Sequence, residues 1–192
     1  MVATVESGGR VDLITYSDLL WQIALEHESP LENPNSAELN RVLNLIINQR
    51  LILQEAEKLP AVAPTAKEIE DSLGILYKRF PSRSEFETRI NKVGLSSDQL
   101  RDIVRLRLVT EKYLNFRFRS FVIVTPQEVA DYYRDVYLPH FRRNSPGRIV
   151  PTLEESRDEL EKQLTEDKIE SDIDKFIESA RERAEITILS KV

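Results

Sequence analysis

The chain has 192 residues, of which 41% are apolar and 31% charged, and its formal net charge is −6. This composition predicts a globular, largely helical protein, and the acidic balance argues against a general nucleic-acid binder. The sequence contains no Cys, which excludes disulfides, zinc-thiolate sites and thiol catalysis but leaves the redox compartment open.

The sequence shows no sign of membrane insertion. No apolar run approaches the roughly 18 to 20 residues that a spanning helix requires. The first ten residues, MVATVESGGR, lack the positive start and apolar centre of a signal peptide. If the protein is exported, we expect that its signal peptide has been removed from this sequence.

Helix starts are marked along the chain by capping boxes, in which Ser or Thr at the N-cap is followed three residues later by Glu or Gln. Each match precedes an amphipathic run, so together they predict where the helices begin. The matches are Thr65 with Glu68, Ser82 with Glu85 or Ser84 with Glu87, Ser96 with Gln99, Thr125 with Glu128, and Thr152 with Glu155.

Seven helices follow from these starts and from apolar periodicity. The second is apolar on well over one face and is the predicted centre of the core. Gly94 is predicted to take the left-handed conformation that ends the fourth helix. The predicted helices cover residues 17–26, 36–58, 65–80, 84–93, 98–118, 126–137 and 153–185.

Short strands are predicted from alternating or continuous apolar residues. Residues 10–15, RVDLIT, and 184–189, AEITIL, border helices near the two chain ends, and we expect them to pair. The run FVIV before Thr125 is a further predicted strand. The fold class is therefore mainly α, with about seven helices and a small two-stranded pairing of the terminal strands.

Several segments in a fixed order resemble the N-terminal chaperone module of SurA and its relatives. They are DLITYSDLLWQIALE, LNRVLNLIINQRLILQEAEKL, TAKEIEDSLGILYKRF, SEFETRINKVGLSSDQLRDIVRLRLVTEKYL and VTPQEVADYYRDVY. The resemblance covers nearly the whole chain and depends on order and spacing. It implies an ATP-independent chaperone in the periplasm or another extracytoplasmic space. The C-terminal arms of trigger factor are a more distant comparison.

The resemblance also implies a domain organisation. Residues 1–137 would form the N-terminal chaperone module, residues 138–151 a short linker, and residues 152–192 a helix and strand that complete the same module. In the family, a parvulin prolyl isomerase domain of about 90 residues is inserted at the position of this linker. Only LPHFRRNSPGRIV is present here, so we expect no isomerase domain and no enzyme.

Other chemistry finds little support in the sequence. His27 and His140, the two histidines, lie in loop-like sequence without ligand spacing, so no metal or catalytic residue is predicted. Gly8 and Gly9 lack the following residues of a phosphate loop, and no cofactor is predicted. The basic run RLRLVTEKYLNFRFRS is expected to face acidic stretches rather than nucleic acid.

The candidate binding residues are aromatics that alternate with Arg at helix ends. Aromatic residues at regular helical spacing, such as Trp21 and Tyr77, are assigned to the core. FRFRSF and YYRDVYLPHF contain aromatics whose burial is less evident. The predicted client-binding residues, where a client is an unfolded polypeptide, are Phe118, Phe121, Tyr133, Tyr137 and Phe141.

Three functions remain open at this point. The first is an ATP-independent holdase, a chaperone that holds unfolded or nascent polypeptides, including clients of the outer envelope. The second is a protein related to peptidyl-prolyl isomerases with residual activity. The third is a structural helical module that binds one specific partner or a second copy of itself, with exchange of terminal elements in a homodimer.

Overall fold

A computed structural model describes all residues from Met1 to Val192. The protein is mainly α, as predicted, and no helix is long and apolar enough to cross a membrane. Because a π-helical segment joins α6 to α7, the helices form the predicted seven runs. They are α1 Tyr16–Ala24, α2 Ser36–Ala56, α3 Ala66–Tyr77, α4 Arg83–Lys92, α5 Ser97–Leu114, α6 Pro126–Tyr132, α7 Leu138–Asn144 and α8 Leu153–Arg183.

Most predicted helix starts are confirmed by their caps. Thr65 and Thr125 each form a complete capping box with the Glu three residues on. Thr152 and Glu155 exchange the same bonds before α8. The first helix begins at Tyr16, one residue before its predicted start, with Thr15 as its N-cap and Asp18 closing the box. Gly94 has φ +66°, the predicted left-handed conformation after α4.

The sheet has three antiparallel strands: β1 Ala3–Ser7, β2 Arg10–Ile14 and β3 Glu185–Ile188, in the order β2-β1-β3. The predicted direct pairing of residues 10–15 with 184–189 is therefore wrong, because β1 lies between them. Gly8 and Gly9, at φ +60° and +79°, form the two-residue connection from β1 to β2. Positive φ at both positions is typical of a type I′ hairpin turn. The Gly-Gly pair is therefore a sequence signal for this hairpin that the sequence analysis missed.

Two further predictions need correction between α5 and α8. The run FVIV is not a strand, because residues 122–125 have no regular structure. All three strands lie near the chain ends and pair only with one another, so no strand pairs with this run. The predicted linker is also partly helical, since α7 extends to Asn144, and the connection to α8 shrinks to residues 145–152.

The chain divides into two compact units. The first comprises Met1–Leu114 and Ile177–Val192, and the second comprises Asn115–Phe176. This division falls inside the predicted N-terminal module rather than at residues 138–151. The chain end returns to the first unit, where β3 pairs with β1, whereas most of α8 lies in the second unit.

Two clusters of buried apolar residues form the core of the first unit. One joins β1, α1 and α2 with Ala180 near the end of α8. The other joins α3, α4 and α5, with Phe80 and Phe86 in edge-to-face contact at 4.9 Å between ring centroids. The predicted central role of α2 is confirmed within this unit, because nine of its apolar side chains are buried: Leu39, Val42, Leu43, Ile46, Ile47, Leu51, Ile52, Leu53 and Ala56.

The second unit contains the two π-helical segments, Asn115–Arg119 and Tyr133–Tyr137, together with α6, α7 and most of α8. Its large buried side chains are few: Val129, Leu160 and Ile169. π-helical turns are rare and occur often at functional sites. The second unit is therefore the candidate location of a binding surface.

Candidate functional site

An open groove of about 430 Å³ lies within the second unit. One wall is the first π-helical segment, the second is the loop that follows it, and the third is α8. The groove is lined by Arg117, Phe118, Phe121, Val122, Ile123, Lys168, Ser171, Asp172 and Lys175.

Ion pairs fix the walls of this groove. Arg119, at the end of the π-helical segment, makes two hydrogen bonds to Glu166 of α8, at 2.7 and 2.8 Å. Lys168, two residues further along α8, donates to the carbonyl oxygen of Ile123 at 2.8 Å and pairs with Glu128 at 2.7 Å. The π-helical segment and the loop are thus each tied to α8.

Glu128 serves two purposes in this arrangement. It accepts from the backbone and the hydroxyl of Thr125, which caps α6, while it also pairs with Lys168. The hydrogen bond from Lys168, followed by those from Thr125, lowers the pKa of Glu128 to about 2. The carboxylate therefore stays charged through the physiological pH range and keeps Lys168 in place.

The apolar part of the groove combines packed and open side chains. Phe118 is half-buried against Phe176, with ring centroids 5.6 Å apart, and the Arg117 guanidinium lies 5.0 Å from the Phe176 ring. By contrast, Phe121 is 71% exposed and Ile123 is 76% exposed. Other apolar residues of the chain are also exposed, but Phe121 and Ile123 lie together in one groove beside Phe118, and this grouping makes the groove the candidate binding surface.

The loop also presents backbone groups. The structure shows no backbone hydrogen bond for the amides of Ile123 and Val124. These β-branched residues favour extended pairing, yet no strand lies beside them. Their amides are therefore available to hydrogen-bond the main chain of another polypeptide.

The other three predicted residues, Tyr133, Tyr137 and Phe141, form a row of aromatic rings outside the groove lining, here called the ring ladder. Tyr133 stacks on Tyr137 at 5.6 Å, and Tyr137 lies 5.9 Å from Phe141. The Tyr133 hydroxyl donates to the carbonyl oxygen of Pro151 at 2.7 Å. All three are half-buried, so this ladder holds the second π-helical segment and α7 and presents less open apolar surface than the groove.

The groove lining therefore contains only two of the five predicted residues, Phe118 and Phe121, while the other three contact one another elsewhere in the same unit. Sequence reasoning missed Ile123 because its run was assigned to a strand. It also missed the α8 wall, formed by Lys168, Ser171, Asp172 and Lys175. No signal in the sequence separates these four from the other polar residues of α8, whereas the unpaired FVIV run was visible.

The two histidines lie apart from this groove lining. His27 meets the edge of Phe80 at 5.5 Å between ring centroids, and the His140 ring is in hydrogen-bond contact with Asn144. No three His, Asp or Glu side chains are arranged to hold a metal ion.

No protein-family model matches the chain, and a search of curated proteins finds no relative. Function is therefore argued from the groove itself, with the resemblance to SurA-type chaperones as a hypothesis.

Proposed function

We propose that the protein is an ATP-independent holdase and that unfolded polypeptides bind in the groove of the second unit. The observation that carries this proposal is the open apolar surface of Phe121 and Ile123, beside the partly packed Phe118. In keeping with the resemblance, we place its action in the periplasm or another extracytoplasmic space.

The groove suits a weak and general interaction. Burying one client side chain contributes about 1.5 to 3 kcal/mol, and part of this is offset by the loss of client motion. A client that gains only such local contacts dissociates readily and is not folded by the encounter. This behaviour is what a holdase requires.

A polypeptide is the occupant that uses both features of the groove. Apolar side chains would pack against Phe121 and Ile123, while the client main chain would pair with the amides of Ile123 and Val124. A small apolar molecule would use only the first feature. The short connection of residues 145–152 holds no inserted domain, so we propose holding without an isomerase domain.

The test is suppression of aggregation of a chemically denatured client, without ATP, at substoichiometric to equimolar ratios. Ile123→Ser is compared with Ile75→Ser, since Ile75 is a 57% exposed aliphatic residue on α3 in the first unit. We expect the unsubstituted protein and Ile75→Ser to suppress aggregation equally and Ile123→Ser to suppress it several-fold less.

Two results would contradict the proposal. Absence of suppression at every ratio would favour a module that binds one specific partner. Equal suppression by both variants would remove the groove from the mechanism. Circular dichroism and thermal unfolding of each variant show whether the fold is retained, and a proline-peptide assay on the same samples tests for residual isomerase activity.

A further inference from the structure

We infer that the groove selects client segments in which an aromatic or branched aliphatic residue lies beside acidic residues. This inference rests on the proposed holdase function and specifies which clients it favours. It follows from the charges that surround the apolar surface.

The groove lining is positive although the whole chain is negative. Three cationic side chains, Arg117, Lys168 and Lys175, line it with one carboxylate, Asp172, whereas the chain has a formal net charge of −6. Two nearby carboxylates, Glu128 and Glu166, are already paired with Lys168 and Arg119. They therefore do little to attract a basic client. Lys168 is neutralised in the same way by Glu128, so the positive excess of the lining comes from Arg117 and Lys175 against Asp172.

The three cations differ in what holds them. Lys168 is fixed by Glu128 and by the Ile123 carbonyl, and Arg117 lies over aromatic rings. Lys175 has a looser ion pair, 3.5 Å from Asp172, and its side chain is 71% exposed. Since exposed pairs of this kind are weak, Lys175 can turn to an incoming carboxylate at little cost.

Charge and apolar surface therefore act on the same ligand. An apolar side chain seated against Phe121 and Ile123 would place its sequence neighbours at the rim, where Lys175 and Arg117 lie. Acidic neighbours would be attracted, and basic neighbours would be repelled. Because the rim is open to solvent, added salt should weaken this selection.

Fluorescence anisotropy with two labelled peptides tests the selection. Both carry the same Phe and Ile residues, but one has Asp and Glu between them and the other has Lys. We expect the acidic peptide to bind about three- to fivefold more tightly, the range for a few exposed charge contacts, with the difference shrinking at high salt.

A charge reversal gives the sharper result. Lys175→Glu should favour the basic peptide, whereas Lys162→Glu, at an exposed α8 position outside the groove lining, should keep the preference for the acidic one. A damaged fold would weaken binding of both peptides and would not exchange their order. An unchanged order in Lys175→Glu would overturn the inference.

The failures of the two proposals are distinguishable. Equal binding of both peptides, with aggregation suppression still sensitive to Ile123→Ser, would overturn the selection and leave the holdase function standing. If the unsubstituted protein neither binds the peptides nor suppresses aggregation, both the holdase function and the selection are contradicted.

Discussion

The two units of this protein treat their apolar residues in opposite ways. In the first unit, two buried clusters enclose residues such as Leu19, Leu51 and Phe86, each at most 2% exposed. In the second unit, few large side chains are buried, and Phe121 and Ile123 are mostly exposed. Burial of apolar surface is the main source of folding stability. The first unit therefore has the more extensive apolar core.

One local device occurs in both units. In each, a Thr caps a helix and a Glu three residues later completes the box, as in Thr65 with Glu68 and Thr125 with Glu128. In each, a Lys from another helix pairs with that Glu and donates to the carbonyl two residues before the Thr. These lysines are Lys112, with Ala63, and Lys168, with Ile123.

The same device thus serves different ends. In the first unit it fastens α3 to α5, whose other faces contribute to a buried core. In the second it holds the loop from residue 120 to 125 against α8 and fixes one wall of an open groove. The difference is in what surrounds the ion pair, and three predictions test it.

The largest expected effect is on stability. Leu51→Ala removes a buried side chain from the α2 core, which should lower the free energy of unfolding by about 2 to 5 kcal/mol. Ile123→Ala removes an exposed side chain and should change this energy by less than about 0.5 kcal/mol. Urea unfolding followed by circular dichroism measures both. A comparable loss in the two variants would contradict the contrast between the units.

An intermediate effect is expected at Arg89 of α4. Its guanidinium donates to the carbonyl oxygens of Ile23 and Ala24, at 3.0 and 2.9 Å, and to those of Glu26 and Ser29. These acceptors lie in the last turn of α1 and just after it, where carbonyls lack the usual N–H donor four residues on. Arg89→Met leaves them without this donor, which should lower the free energy of unfolding by about 1 to 3 kcal/mol.

The control for Arg89 is Arg105→Met on α5, where the exposed guanidinium has a single 3.5 Å contact with Asp102. The same unfolding measurement should show a change of at most about 1 kcal/mol, as for surface ion pairs generally. If the two variants lose equal stability, Arg89 does not act as the C-terminal cap of α1.

The smallest effect is a dependence on acid pH shared by both units. Hydrogen bonds from Lys112 and Lys168, with those from Thr65 and Thr125, lower the pKa of Glu68 and of Glu128 to about 2 from the ordinary 4.5. Because the folded pKa is depressed, the stabilisation is present above pH 4.5 and is lost as the pH falls towards 2.

Side-chain NMR titration should give both glutamates a pKa near 2, and Glu128→Gln should differ in stability from the unsubstituted protein at neutral pH more than at about pH 3. If Glu128 had a pKa near 4.5 while the pKa of Glu68 stayed near 2, the ion pair of the second unit would not hold the groove wall in the way that the ion pair of the first unit holds α3. Glu68→Gln provides the matched variant in the first unit.

Much of the helical architecture could be predicted from local sequence. Thr65, Thr125 and Thr152 each begin a helix as the capping rule requires, because the bonds that form a cap involve residues only three apart. The mainly α class follows from the same signals. The Gly8-Gly9 hairpin was equally local and was missed because those glycines were tested only against phosphate loops.

The candidate site was predictable only in part. Phe118 and Phe121 stand out in FRFRSF, and both line the groove. Tyr133, Tyr137 and Phe141 lie four residues apart, a spacing that stacks their rings along one helix face but does not place them in the groove lining. Lys168 and Lys175 could not be identified, since a lysine on a charged helix gives no sign of what it faces.

Most helices and their starts follow from local sequence, because capping and apolar periodicity act over a few neighbouring residues. The acidic net charge and the absence of thiol chemistry are likewise properties of the sequence. The separation of β2 from β3 by β1, and the unpaired FVIV run beside Lys168, arise from tertiary packing. Pairing and exposure depend on segments distant in sequence, whose positions no local pattern specifies.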